Sequence, residues 1–97
     1  MKSEFKYFED ECARGGCDIM LIEKTNSTRL YLYSDERSGE KAYIYMSLVG
    51  TPTIGYYDKM QSITYQRPRW TATHNDMNEL FKEFYRNLFS FGCLNAR

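Results

Sequence analysis

Proline is scarce, with two residues in 97, and histidine occurs once. Net charge is missing as well, because 13 basic residues balance 13 acidic ones. A chain with no surplus of one sign sets up no global field to draw in nucleic acid or an anionic membrane, so such contacts must come from a local patch. No run approaches the roughly 18–20 apolar residues that cross a bilayer. The opening Met1-Lys2-Ser3-Glu4-Phe5-Lys6 has no apolar signal region, which leads us to expect a cytoplasmic protein that does not engage a membrane. Three cysteines, an odd number, argue against a closed disulfide framework and fit a reducing compartment. Asn26-Ser27-Thr28 has the form of a glycosylation sequon and is read as a turn.

Catalytic signatures are also lacking. There is no phosphate loop or dinucleotide fingerprint. The carboxylates are scattered, and none forms a pair set for acid–base work. His74 lies near a predicted helix start, where the dipole disfavours its cation, and no activating motif joins it to a cysteine. Cys12, Cys17, Cys93 and His74 make the minimum inventory for a Cys₃His zinc site, but only the Cys12–Cys17 spacing resembles a ligand pair. The simpler reading is three reduced, mostly buried thiols. We therefore expect no enzyme, no catalytic residue, no metal and no cofactor.

What is present is aromatic. Nine Tyr, six Phe and one Trp raise the aromatic share to 16%, within a hydrophobic share of 42% that supports one core. Residues 1–97 suit a single domain. Phe5, Phe8 and Cys12 share one face of a helix over residues 3–14, capped by Ser3 and stopped by Gly15-Gly16. Five strands are expected at residues 17–24, 28–34, 41–48, 53–57 and 61–66. The first holds the continuous Ile19-Met20-Leu21-Ile22 run of a central strand or one covered on both faces. Pro52 suggests that the fourth starts at a sheet edge. Met77, Leu80, Phe81, Phe84, Leu88 and Phe91 form one stripe of a C-terminal helix over residues 75–91, with Thr73 and Asp76 as its capping box and Gly92 as its stop. Short connections favour a mostly antiparallel five-stranded sheet. The fold class is α+β, with a short N-terminal helix and a longer C-terminal amphipathic helix packed on one face.

Two features point to binding. On the second strand Leu30 and Leu32 alternate with Arg29, Tyr31 and Tyr33; on the third, Ala42, Ile44, Met46 and Leu48 alternate with Tyr43 and Tyr45. One register that keeps all aliphatics on one face pairs Tyr33 with Tyr43 and Tyr31 with Tyr45, a two-residue shift preserves the faces as well, and either clusters four tyrosines on the other face. Such a face serves either sheet stability or partner contact. Second, Gln66-Arg67-Pro68-Arg69-Trp70 sets two guanidiniums and an indole side by side, a hot-spot composition, although Trp70 could instead plug the core edge. Tyr85 and Phe89 widen the last helix's apolar face and either seal the core or meet a partner.

The expected partner-binding residues are thus Arg29, Tyr31, Tyr33, Tyr43, Tyr45, Arg67, Arg69 and Trp70. A compact, motif-free chain is similar in size and style to phage-encoded anti-defence proteins such as anti-CRISPRs. That resemblance implies a small inhibitor or adaptor that blocks a partner protein, working in a host cytoplasm. A protein partner is expected ahead of nucleic acid, and a second copy of the chain is a candidate. The alternative is a single-stranded nucleic-acid binder that stacks bases on the tyrosine face.

Overall fold

Alternating apolar residues between short turns produce an antiparallel meander, and two amphipathic segments cover one side of it. The computed structural model describes residues 4–14, 18–34 and 41–90, except for the side chains of Glu4, Tyr85 and residues 88–90. The expected Ser3 cap, the Gly15-Gly16 and Gly92 stops, Cys17, Phe91, Cys93 and the Tyr85, Leu88 and Phe89 side chains lie outside the described residues. The elements are α1 (Glu4–Arg14), β1 (Asp18–Lys24), β2 (Thr28–Ser34), β3 (Lys41–Ser47), β4 (Thr53–Tyr57), α2 (Met60–Thr64), β5 (Trp70–Thr73) and α3 (Met77–Ser90). The five strands form one sheet in the order β1-β2-β3-β4-β5, with every pair antiparallel. The α+β class with a five-stranded antiparallel sheet and helices at both ends is therefore correct.

Both α1 and α3 lie on the same sheet face. Phe8 is fully buried at their junction, with ring centroids 5.5 Å from Tyr31, 5.4 Å from Phe81 and 5.4 Å from Phe84. Tyr7 of α1 also meets Phe81, at 5.1 Å. Beneath the helices, the sheet contributes Tyr31, Tyr33, Ala42, Ile44, Met46, Ile54, Tyr56 and Ala72 to one core cluster. Tilted aromatic contacts of this kind add to the stabilisation from area burial.

Four expectations about the elements need correction. The segment over residues 61–66 is not a strand. It forms α2, and β5 comes later, at Trp70–Thr73. The Ile63, Thr64 and Tyr65 side chains favour strands, but backbone geometry decides against them. Gln66 takes φ 55, its N–H donates to Ile63 O at 3.0 Å, and the Arg67 N–H donates to Ser62 O at 2.8 Å. This hydrogen-bond pair is the Schellman helix stop, here with glutamine in the left-handed position that glycine usually fills. β4 is interior, not an edge, and Pro52 sits just before it with its carbonyl accepting from the His74 N–H at 3.1 Å. Thr73 does not cap α3. It belongs to β5, with its hydroxyl 3.0 Å from that of Thr53, while the Asp76 carboxylate accepts from the Asn78 N–H at 2.9 Å. Finally, β1 is the sheet's edge and is exposed along almost its whole length.

The most consequential correction is one of register. Across β2 and β3 the partners are Leu30↔Tyr45, Tyr31↔Ile44, Leu32↔Tyr43 and Tyr33↔Ala42. This is one residue away from the alignment expected, and a one-residue slip exchanges the faces of a whole strand. Arg29, Tyr31 and Tyr33 do share a face, but it is the one under the helices. Tyr31 is 1% exposed and Tyr33 3%. The physical reason lies in the space beneath α1. Tyrosine spans it with a ring against Phe8 and a hydroxyl that donates to Glu9 Oε2 at 2.8 Å. A buried phenol is acceptable when its tip finds such a partner.

Candidate functional site

The register leaves a second apolar face on the side away from α1 and α3. One row crosses four strands: Met20 faces Leu32, Leu32 faces Tyr43, and Tyr43 faces Tyr57. The neighbouring row runs from Glu23 through Leu30, Tyr45 and Gly55 to Thr71. Leu32, Tyr43, Tyr45 and Tyr57 are half-buried and Met20 is 58% exposed. Leu30 is buried among its sheet neighbours.

Glycine allows one close approach in this face. A β-carbon on Gly55 would lie 2.7 Å from the Tyr57 ring, so that ring rests on the bare backbone of its own strand. Tyr57 is also held above the ordinary phenol range, first by burial and then by the nearby Tyr45. The segment after β4 supplies a wall. Ile63, Gln66 and Pro68 join Tyr45 and Tyr57 around a hollow of about 460 Å³. The left-handed Gln66 turns the chain there, so a backbone conformation costly for a non-glycine residue sits beside the half-buried aromatics.

Of the expected binding residues, the structure brings together Tyr43 and Tyr45 on this outer face. It removes Tyr31 and Tyr33 to the core. Arg29 also lies on the helix side, its guanidinium 4.1 Å above the Phe5 ring and donating to the carbonyls of Thr25 and Thr28. Trp70 is a partly buried core-edge residue, 5.9 Å from the Phe84 ring. Arg69 is exposed and pairs with Asp58 at 3.3 Å, and Arg67 is exposed just beyond α2.

Leu32, Tyr57, Ile63 and Pro68 are functional candidates that sequence reasoning missed. Tyr57 carried a usable signal, since Ile54 and Tyr56 alternate with Gly55 and Tyr57 and Ile54 is an obvious core residue. The hollow wall carried none, because it depends on the helix at residues 60–64.

Cys12 is a fully buried thiol within the core cluster. His74 is half-buried, and its Nδ1 accepts from the Asp76 N–H at 3.2 Å. Among the described residues, no three His, Cys, Asp or Glu side chains gather in a metal-holding group. No described helix is long and apolar enough to cross a membrane. No protein-family model matches the chain, and no curated protein or solved structure matches it either.

Proposed function

We propose that this chain is a non-enzymatic protein-binding module whose outer sheet face occupies the surface of a partner protein. In this reading it is a small inhibitor or adaptor, in the manner of phage-encoded anti-defence proteins. The observation that carries the proposal is the second apolar face itself. The helices need only one side of the sheet for the core, yet Met20, Leu32, Tyr43, Tyr45 and Tyr57 line the other. Tyrosine supplies rigid contact area with a polar tip, the composition that protein interfaces favour. The hollow beside Ile63 and Pro68 would receive one side chain of the partner.

The nucleic-acid alternative is less well supported. It counts on Arg29, Arg67 and Arg69; of these Arg29 is turned to the helix side and Arg69 pairs with Asp58, and Lys41 is the one cation among the described outer-face strand residues.

The test compares wild type with the Tyr43→Ala/Tyr45→Ala double variant as baits for host proteins. A partner held by wild type should be lost by the double variant while its unfolding midpoint stays close to wild type. Equal retention by both baits would remove the outer face from the account. A shift on short single-stranded DNA that fades steeply with salt would favour the alternative.

A further inference from the structure

The β1 edge is a separate surface with its own chemistry. β2 pairs with one side of β1, and among the described residues no strand follows on the other, so the backbone N–H and C=O groups of that side have no strand partner there. Proteins usually blunt such an edge with charge, proline or a cover. Here Met20, Leu21 and Ile22 are 58%, 41% and 38% exposed, so the strand presents apolar side chains that the described residues cover only in part. Its central Ile19-Met20-Leu21-Ile22 run has the composition of an interior strand, with charges at Asp18, Glu23 and Lys24, and its position is that of an edge strand.

Beside it, α1 stands off from the sheet. A groove of about 430 Å³ runs between them, floored by Ile19, Leu21 and Tyr31 and walled by Ala13. Its two charged lining residues are both carboxylates, Glu9 and Asp18. Among the described residues neither one forms an ion pair, and the Glu9 carboxylate takes only the Tyr31 hydroxyl among the contacts seen.

We infer that β1 receives an extended segment of a partner protein as a sixth strand, with apolar side chains in the α1–β1 groove and a lysine or arginine on the opposite face, beside Asp18 and Glu23. Main-chain hydrogen bonds supply the attachment, and the groove selects alternate side chains. Asp18 and Glu23 on the outer face, neither in an ion pair among the described residues, set the preference for a basic segment. A second copy fits this edge poorly. Asp18 and Glu23 both lie on the outer face, opposite Ser34 and Leu30. Antiparallel self-pairing would bring the start of one strand to the end of the other, crowding these carboxylates together twice per dimer.

The experiment is hydrogen exchange on the full chain with two synthetic heptapeptides, one alternating valine and lysine, the other valine and glutamate. The lysine peptide should slow exchange across residues 18–24 and bind about tenfold more tightly than the glutamate peptide. Asp18→Lys should erase that preference, and Leu21→Lys should abolish protection by either peptide. Both positions are exposed, and unfolding midpoints of the two variants check that the fold survives. The Tyr43→Ala/Tyr45→Ala variant should protect β1 as wild type does, which separates this site from the outer face. Three outcomes would overturn the inference: no protection of residues 18–24, equal protection by the two peptides, or a free protein that already runs as a dimer with β1 protected.

Discussion

Two adjacent strands each carry a pair of tyrosines with the same spacing, and the two pairs have opposite fates. Tyr31 and Tyr33 of β2 are nearly inaccessible beneath the helices, whereas Tyr43 and Tyr45 of β3 lie half-buried on the far side. Residue type and strand preference are the same for both pairs. What differs is the surroundings. The inner pair meets α1, with Phe8 against the Tyr31 ring and Glu9 on its hydroxyl. Among the described residues the outer pair meets sheet neighbours and the edge of the α2 segment. A tyrosine is therefore a core residue where something covers its ring and satisfies its tip, and a candidate contact residue where nothing does.

The strongest way to break this comparison is at the centre of the inner face. Phe8→Ala removes a fully buried ring from contacts with Tyr31, Phe81 and Phe84, and should cost about 3–5 kcal/mol in denaturant unfolding. A loss below about 1 kcal/mol would mean that α1 is not docked as described.

The next test is the Tyr31 tip. Tyr31→Phe keeps the ring and leaves the Glu9 carboxylate without its donor, for a loss of about 1–2 kcal/mol. It also makes a pH prediction. Burial, then the hydrogen bond to Glu9, hold the Tyr31 phenol far above its ordinary range in the folded state. The unfolded chain releases that proton near pH 10 while the folded chain keeps it. Wild-type stability should therefore be intact below about pH 10 and fall as pH rises beyond it. Tyr31→Phe should flatten that fall, and an unchanged slope in the variant would refute the assignment.

On the outer face, Gly55→Ala should displace the Tyr57 ring, at a cost of about 1–3 kcal/mol. Phenolate absorbance would then show Tyr57 titrating nearer its ordinary range, because the ring loses its cover. A smaller effect of the opposite sign is expected at Gln66→Gly. Relieving the left-handed backbone should stabilise the fold by about 1 kcal/mol. No gain would show that the turn at φ 55 carries little strain.

The sequence made much of this architecture legible, and two kinds of information stayed hidden. The Phe5, Phe8, Cys12 stripe and the Leu80, Phe81, Phe84 stripe each pointed correctly to the core, because helical periodicity survives without knowledge of neighbours. Ala42, Ile44 and Met46 were correctly placed together, as were Tyr43 and Tyr45 opposite them. The relation between β2 and β3 was not readable, since alternation fixes which residues share a face within a strand but not which face is covered. Ranking leucine above tyrosine for the interior turned β2 over. The α2 turn was hidden for a different reason: its stop uses glutamine where the usual signal is glycine. Half of the tyrosine surface was therefore assigned to the wrong side, and the hollow beside Tyr57 had no signature at all.

The most direct test compares two double variants in parallel unfolding curves, Tyr31→Ser/Tyr33→Ser against Tyr43→Ser/Tyr45→Ser. The account predicts that the inner pair loses more than about 4 kcal/mol and fails to fold cooperatively, while the outer pair loses no more than about 2 kcal/mol. Equal losses, or a greater loss from the outer pair, would contradict the division of the sheet into a core face and a contact face.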